Sequence, residues 1–264
     1  SSRAPRTGGR PRRSSLRVGG EPTVHTDSVN PPISAIPLNP AQRAAVEHPG
    51  GPLLVIAGAG SGKTRVLTAR IAWLLEHGVP PYAILAFTFT NRAAREMRER
   101  LERMVSGAAR ELWVGTFHAT AVRILRREAG RLGLPREFAI YDREDQEGIV
   151  REVLRNLEIP DTVLKPNQVL AKISDAKNSL VDPETMMRTA MSPPAKRIAE
   201  CYALYRDALK RAGALDFDDL IAEVVRLFRD DAEAASKWGR RFAHVLVDEY
   251  QDTNHAQFRM VQSL

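Results

Sequence analysis

The chain has 264 residues, 43% of them hydrophobic and 27% charged, enough to bury a substantial core in one or two domains. No apolar run approaches the length of a membrane span, and the single cysteine, Cys201, excludes an internal disulfide and fits a reducing cytosol. The formal charge of +7 is concentrated: residues 1–20 hold six arginines and no acid, and the remainder carries 33 basic against 32 acidic residues. Bulk charge is therefore no argument for nucleic-acid binding by the folded part, where such binding has to come from local patches.

Residues 1–36 are rich in Arg, Pro, Ser, Gly and Thr and nearly lack large apolar side chains, which predicts a disordered basic arm. A transit peptide is the alternative, against which the prolines and glycines argue. The chain does not start with Met, as expected of a processed chain or a fragment. Order is expected from Ile36-Pro37-Leu38-Asn39-Pro40-Ala41-Gln42, where Asn39 suits an N-cap and Pro40 a first helical position.

Strands are predicted at Leu53–Ala57, Ile84–Thr88, Leu112–Thr116 and Val245–Asp248. Helical patterns follow the first three, at Lys63–His77, Arg92–Val105 and Phe117–Ala129, so a parallel sheet of βα units is expected. Between the third and fourth strands lies a strand-poor interval too long for a loop. Helical faces at 142–158 and 196–212, with Gly213 as a C-cap, predict an inserted helical subdomain over residues 133–214. Cys201 shares a stripe there with Ile198, Tyr202, Tyr205 and Leu209, which predicts core packing rather than catalysis. Asp216 then opens a helix in which Asp218 and Asp219 also stand. These three acids suit either a helix cap, favoured by the dipole, or a metal site.

Chemistry is concentrated in two stretches. Leu53–Thr64 passes from an apolar run through a glycine-rich turn into a helix start, the order a phosphate cradle needs. Lys63 suits the β- and γ-phosphates and the Thr64 hydroxyl suits Mg²⁺, although Ala57 stands where the P-loop pattern has its first glycine. Near the other end, Phe242–Glu249 is a short apolar strand ending in two acids. Asp248 is placed to hold Mg²⁺ through water and Glu249 to orient or deprotonate an attacking water. The polar run Tyr250–Asn254, with Gln257, is placed to link that site to another part of the protein.

With these stretches in order, the chain from about Leu38 to its last residue resembles the UvrD/PcrA/Rep branch of superfamily 1 DNA helicases. Leu38–Gln42 resembles the family's Q motif, which implies that Gln42 reads adenine. Ala57–Thr64 resembles motif I, which tolerates Ala at its first position; the resemblance implies ATP contacts from Ala57, Gly58, Ala59, Gly60, Ser61, Gly62, Lys63, Thr64 and the adjoining Arg65. Thr88–Met97 resembles motif Ia, with Arg92 where Lys is usual, Gly115–Ala119 resembles Ib, Leu215–Leu220 resembles Id, and Asp248–Asn254 resembles motif II.

The resemblance implies a RecA-like P-loop core over 37–132 and 215–264 with an all-helical insert, subdomain 1B, over 133–214. It implies a path for single-stranded DNA over Phe89, Asn91, Arg92, Thr116 and His118, although Phe89 read from the sequence alone suits a buried strand end. It further implies an ATP- and Mg²⁺-dependent 3′-to-5′ helicase acting at single-strand/duplex junctions in repair or replication, with motifs III to VI on a further domain. The alternatives are the helicase portion of a RecB- or AddA-like helicase–nuclease, or a non-catalytic module that binds ATP and single-stranded DNA.

Overall fold

A computed structural model describes residues 36–58, 60–105 and 107–264. The basic arm expected over residues 1–36 lies, apart from Ile36, outside the described residues, as does Ala59 of the glycine turn. The elements run α1 (Pro40–Val46), α2 (Lys63–Glu76), β1 (Ile84–Thr88), α3 (Asn91–Met104), β2 (Trp113–Thr116), α4 (Phe117–Leu132), β3 (Ala139–Tyr141), α5 (Arg143–Asn156), α6 (Pro166–Asn178), α7 (Pro183–Thr189), α8 (Pro193–Ala212), β4 (Ala214–Asp216), α9 (Phe217–Asp230), α10 (Ala232–Arg241), β5 (His244–Val247) and α11 (His255–Gln262). Side-chain caps set many of these starts. Asn39 and Gln42 close a reciprocal box over α1, Thr90 caps α3, Thr116 caps α4 and Asp216 caps α9.

The main sheet has the order β2-β1-β5 and is parallel, with Phe87 level with Gly115 on one side and Val247 on the other. All five residues of β1 are buried, as expected for a strand covered on both faces. Its side chains alternate between two cores. Leu85 and Phe87 face Phe117, Ile124, Val224 and Trp238, whereas Ile84 and Ala86 face Ile71, Met97 and Leu101. Phe87 and Phe117 stack with ring centroids 4.3 Å apart. This arrangement brings Thr88, Thr116 and Asp248 to one edge of the sheet, where parallel α/β sheets bind their ligands.

Two expectations are corrected. Leu53–Ala57 forms no strand: Leu54 is 66% and Ile56 88% exposed, and no ladder pairs with them. Strands are held by neighbours, and among the described residues the outer edge of β5 has none beside it, so β-branched propensity alone leaves this run extended but unpaired. The long interval, in turn, is not wholly helical. Parallel β3 and β4 pair at its two ends, with Tyr141 level with Asp216. Its helices bury a core of their own, including Val150, Leu154, Val169, Ile173, Tyr202 and Tyr205. Cys201 is buried in that core, and burial pushes its thiol up to about 11, which leaves it unreactive packing.

Candidate functional site

The glycine turn is shaped by two positive-φ glycines, Gly60 at 75° and Gly62 at 91°, conformations that a side chain would strain. Gly62 is also hemmed in, since a Cβ there would stand 3.2 Å from Gln42 Nε2. Gln42 is thereby fastened to the turn, donating from Nε2 to the Ser61 carbonyl at 2.9 Å. Ser61 Oγ in turn donates to the Gly58 carbonyl at 2.7 Å. Lys63 folds back over the loop, with Nζ 3.2 Å from the Ala57 carbonyl and 3.5 Å from that of Gly58. No side chain caps α2, so its first N–H groups face the turn with the positive end of the helix dipole. Arg65, one residue further on, is exposed.

β5 carries the second half of the site. Asp248 continues the ladder past the strand end, its N–H donating to the Phe87 carbonyl at 3.0 Å, and its side chain is largely buried. Thr64 Oγ1 donates to Asp248 Oδ2 at 3.3 Å, joining residues 184 apart in the chain. Burial, followed by the neighbouring Glu249 charge, raises the Asp248 carboxyl above its ordinary range. Glu249 adopts a left-handed conformation with φ of 50°, uncommon for a residue with a side chain. That turn sets its carboxylate 4.0 Å from Lys63 Nζ, and Gln251 Nε2 donates to it at 2.6 Å. A threonine hydroxyl and a half-desolvated carboxylate side by side are hard oxygen donors that fit Mg²⁺, and a dication would relieve the acid pair.

Along the same sheet edge stand the residues expected to meet nucleic acid. Phe89 is half-buried at the strand end, set edge-on to Phe117 at 5.6 Å. Asn91 and Arg92 are exposed at the start of α3, and Arg92 pairs with Glu96 at 2.8 Å. The Thr116 hydroxyl accepts from the Ala119 N–H at 3.2 Å and keeps its own proton to donate. His118 stacks on Phe217 at 4.0 Å, and burial lowers its pKa, only partly opposed by Asp218.

Phe217 is the aromatic that sequence reasoning missed. It is 54% exposed, yet as an apolar first residue of a helix, just inside the Asp216 cap, nothing in its spacing marks it. The three aspartates, by contrast, resolve toward capping. Asp216 and Asp219 close a reciprocal box over α9, and among the described residues no group of three or more His, Cys, Asp or Glu, these aspartates included, is arranged to hold a metal by itself. The polar run after the acid pair does link the site elsewhere: Asn254 Nδ2 donates to Asn178 Oδ1 at 2.6 Å, tying the start of α11 to the end of α6.

The comparisons agree with this geometry. A family model described as the UvrD/REP helicase N-terminal domain matches residues 38–264. The chain is 46% identical over 228 residues to the ATP-dependent DNA helicase PcrA of Staphylococcus aureus and 45% identical to that of Bacillus subtilis. Each of these matches covers 86% of this chain and 31% of the relative. It is 48% identical over 232 residues to the ATP-dependent DNA helicase UvrD1 of Mycobacterium bovis, covering 86% of this chain and 30% of that one. The chain thus spans about a third of the length of these relatives.

Proposed function

Because the chain belongs to the UvrD/Rep helicase family, matching its N-terminal domain, we propose that it is the ATP-binding part of a helicase that moves 3′ to 5′ on single-stranded DNA. The observation that carries this reading is the Thr64–Asp248 contact, which joins the glycine turn to the acidic strand end. Residues 37–132 and 215–264 form the nucleotide core, and residues 133–214 form an insert that grips DNA near a single-strand/duplex junction. The separate core of α5, α6 and α8 supports that division.

In the site, Gln42 is already tied to the loop that holds phosphates, and with Oε1 accepting from Asn39 it keeps one N–H and one oxygen lone pair for an adenine edge. The N–H groups at the start of α2 and Lys63 bind the phosphates, Lys63 exchanging two carbonyl contacts for phosphate oxygens. Thr64 and Asp248 would hold Mg²⁺, which would supply charge neutralisation at the phosphates. Glu249, 4.0 Å from Lys63 and oriented by Gln251, accepts a proton from the attacking water. Phe89, Phe217 and His118 offer stacking faces to bases, and Asn91, Arg92 and Thr116 contact the DNA backbone. Such a motor works in repair or replication in the cytoplasm, with motifs III to VI on a further domain closing the ATP cleft.

The test is ATP hydrolysis and ATP binding by this chain, with and without single-stranded DNA, using Lys63→Ala as the blank. ATP binding weakened tenfold or more by Lys63→Ala supports the site. Equal ATP affinity in both chains overturns it. DNA-stimulated turnover by this chain alone would show a complete catalytic site, whereas binding without turnover would mark the isolated chain as an ATP-binding module.

A further inference from the structure

A second basic surface lies at the other end of the sheet. Trp113 begins β2 and Thr116 ends it, so about 10 Å of strand separates this ring from the nucleotide and Thr116 edge. α4 runs back from Thr116 and brings Arg123 and Arg127 over the Trp113 ring, with guanidinium carbons 3.7 Å and 4.9 Å from its centroid. Arg241, at the end of α10 just before β5, reaches the same ring at 5.2 Å. Arg98 of α3 joins them from below, donating from Nη2 to the Val114 carbonyl at 2.5 Å.

Among the described residues, none of these four arginines is in an ion pair. Arg127 donates to the Arg123 carbonyl, and the buried Nε of Arg241 has no partner. Glu128, the acid next to them on α4, is already engaged by Lys237, Arg131 and the Trp238 indole N–H. Burial and then the charges of Arg127, Arg98 and Arg241 hold the Arg123 guanidinium below its ordinary value. Stacking on Trp113 explains why the side chains are ordered, but it does not explain why several like charges share one ring without an acid.

We propose that Arg98, Arg123, Arg127 and Arg241 form a binding surface for the phosphodiester backbone of duplex DNA, separate from the single-strand edge. The composition of the surface selects that partner. A protein interface has an apolar centre, whereas among the described residues no large exposed apolar side chain lies on α3, α4 or α10. What the patch offers is guanidinium groups without an acidic partner, whose remaining donors in a planar fork match phosphate oxygens. It goes beyond the proposed motor site, because none of its residues borders the glycine turn or the Phe217 platform.

The experiment is fluorescence anisotropy of this chain with a blunt duplex and with a single strand, each over a series of salt concentrations. A triple variant, Arg123→Gln with Arg127→Gln and Arg241→Gln, should weaken duplex binding at least tenfold and reduce the salt slope by about 2 to 3, at roughly 0.9 per lost phosphate contact. Single-strand binding should change far less, while Phe217→Ala should do the reverse, so failure here is distinguishable from failure of the motor reading. Should the triple variant lose its fold, protection of the wild-type arginines from phenylglyoxal by duplex DNA replaces it. An unchanged duplex affinity and slope, or no protection, overturns the proposal. So does protection of these arginines by polyglutamate where duplex DNA leaves them unprotected, which would mark an acidic protein as the partner.

Discussion

Lys177 on α6 and Asp216 at the end of β4 meet at 2.6 Å inside the protein, each side chain almost wholly removed from solvent. Asp219 stands 2.7 Å from the same ammonium, and Tyr205 donates to Asp216 at 2.8 Å. This buried knot lies where the interval helices meet the start of α9. Its neighbour Asn178 extends it, donating to Asp218 at 3.2 Å and accepting from Asn254. A polar seam therefore runs from the interval helices to the segment that follows the acid pair Asp248–Glu249.

Removing the cation leaves two buried carboxylates without their counter-charge, Asp216 keeping only hydrogen bonds such as that from Tyr205. Lys177→Met should therefore cost about 3–5 kcal/mol of stability, the range for breaking a buried ion pair from one side. Denaturant unfolding followed by tryptophan fluorescence measures it. A loss below about 1 kcal/mol, the range of exposed ion pairs, would show that water reaches the seam.

The same cluster gives a pH signature. Burial pushes Asp219 up to about 7, against the pull of Lys177 and with the Asp216 charge adding to the rise. Between its unfolded value near 3.8 and that value, the folded chain holds a proton that the unfolded chain has released. The stability from this group is therefore complete below the unfolded value and lost as pH rises through 7. Asp219→Asn removes the dependence, so its cost should shrink between pH 5 and pH 8. A cost that stays constant over that window would mean Asp219 behaves as an ordinary ion-paired acid, ionised in both states from pH 5 upward.

How much of this was legible in the sequence depends on how local each cause is. The βα units were readable because β1 is buried on both faces and its neighbours begin at their own caps, Thr90 and Thr116. Leu53–Ala57 was misread because a strand exists only through pairing, which no residue within the run reports. Lys177 gave no signal at all. Its partners lie 39 and more residues away, and only the packing of α6 against α9 converts a commonplace helix lysine into a buried one. For the site, Lys63, Thr64 and Asp248 were readable from loop chemistry. Phe217 was not, because exposure of an aromatic at a helix start is a tertiary fact.

At the glycine turn, Lys63 makes two long carbonyl contacts and a 4.0 Å ion pair with the partly exposed Glu249, all weak, so its loss should leave the unfolding midpoint nearly unchanged. Bound phosphate, however, would lose a charge-assisted hydrogen bond worth about 1.5–3 kcal/mol, roughly tenfold to a hundredfold in affinity. Thermal unfolding of Lys63→Ala tests the first statement and its titration with a fluorescent ATP analogue the second. A large drop in unfolding midpoint would assign Lys63 to holding the loop instead.

The two aromatics at the strand-end edge should not contribute equally to single-strand binding. Phe89 is half-buried and turned edge-on into Phe117, so part of its face is spent on the core. Phe217 is 54% exposed and backed by His118, which holds it flat, so a base can stack without the ring first giving up protein contacts. Stacking on an aromatic is worth about 1–3 kcal/mol per base, and Phe217→Ala should lose that amount while Phe89→Ala loses less. Phe217→Trp, with a larger face, should retain or strengthen binding. Anisotropy with an unstructured labelled oligonucleotide reads all three variants. Equal losses for both alanine variants would mean that Phe89 turns outward when DNA binds, and no loss at Phe217 would move the strand path away from the start of α9.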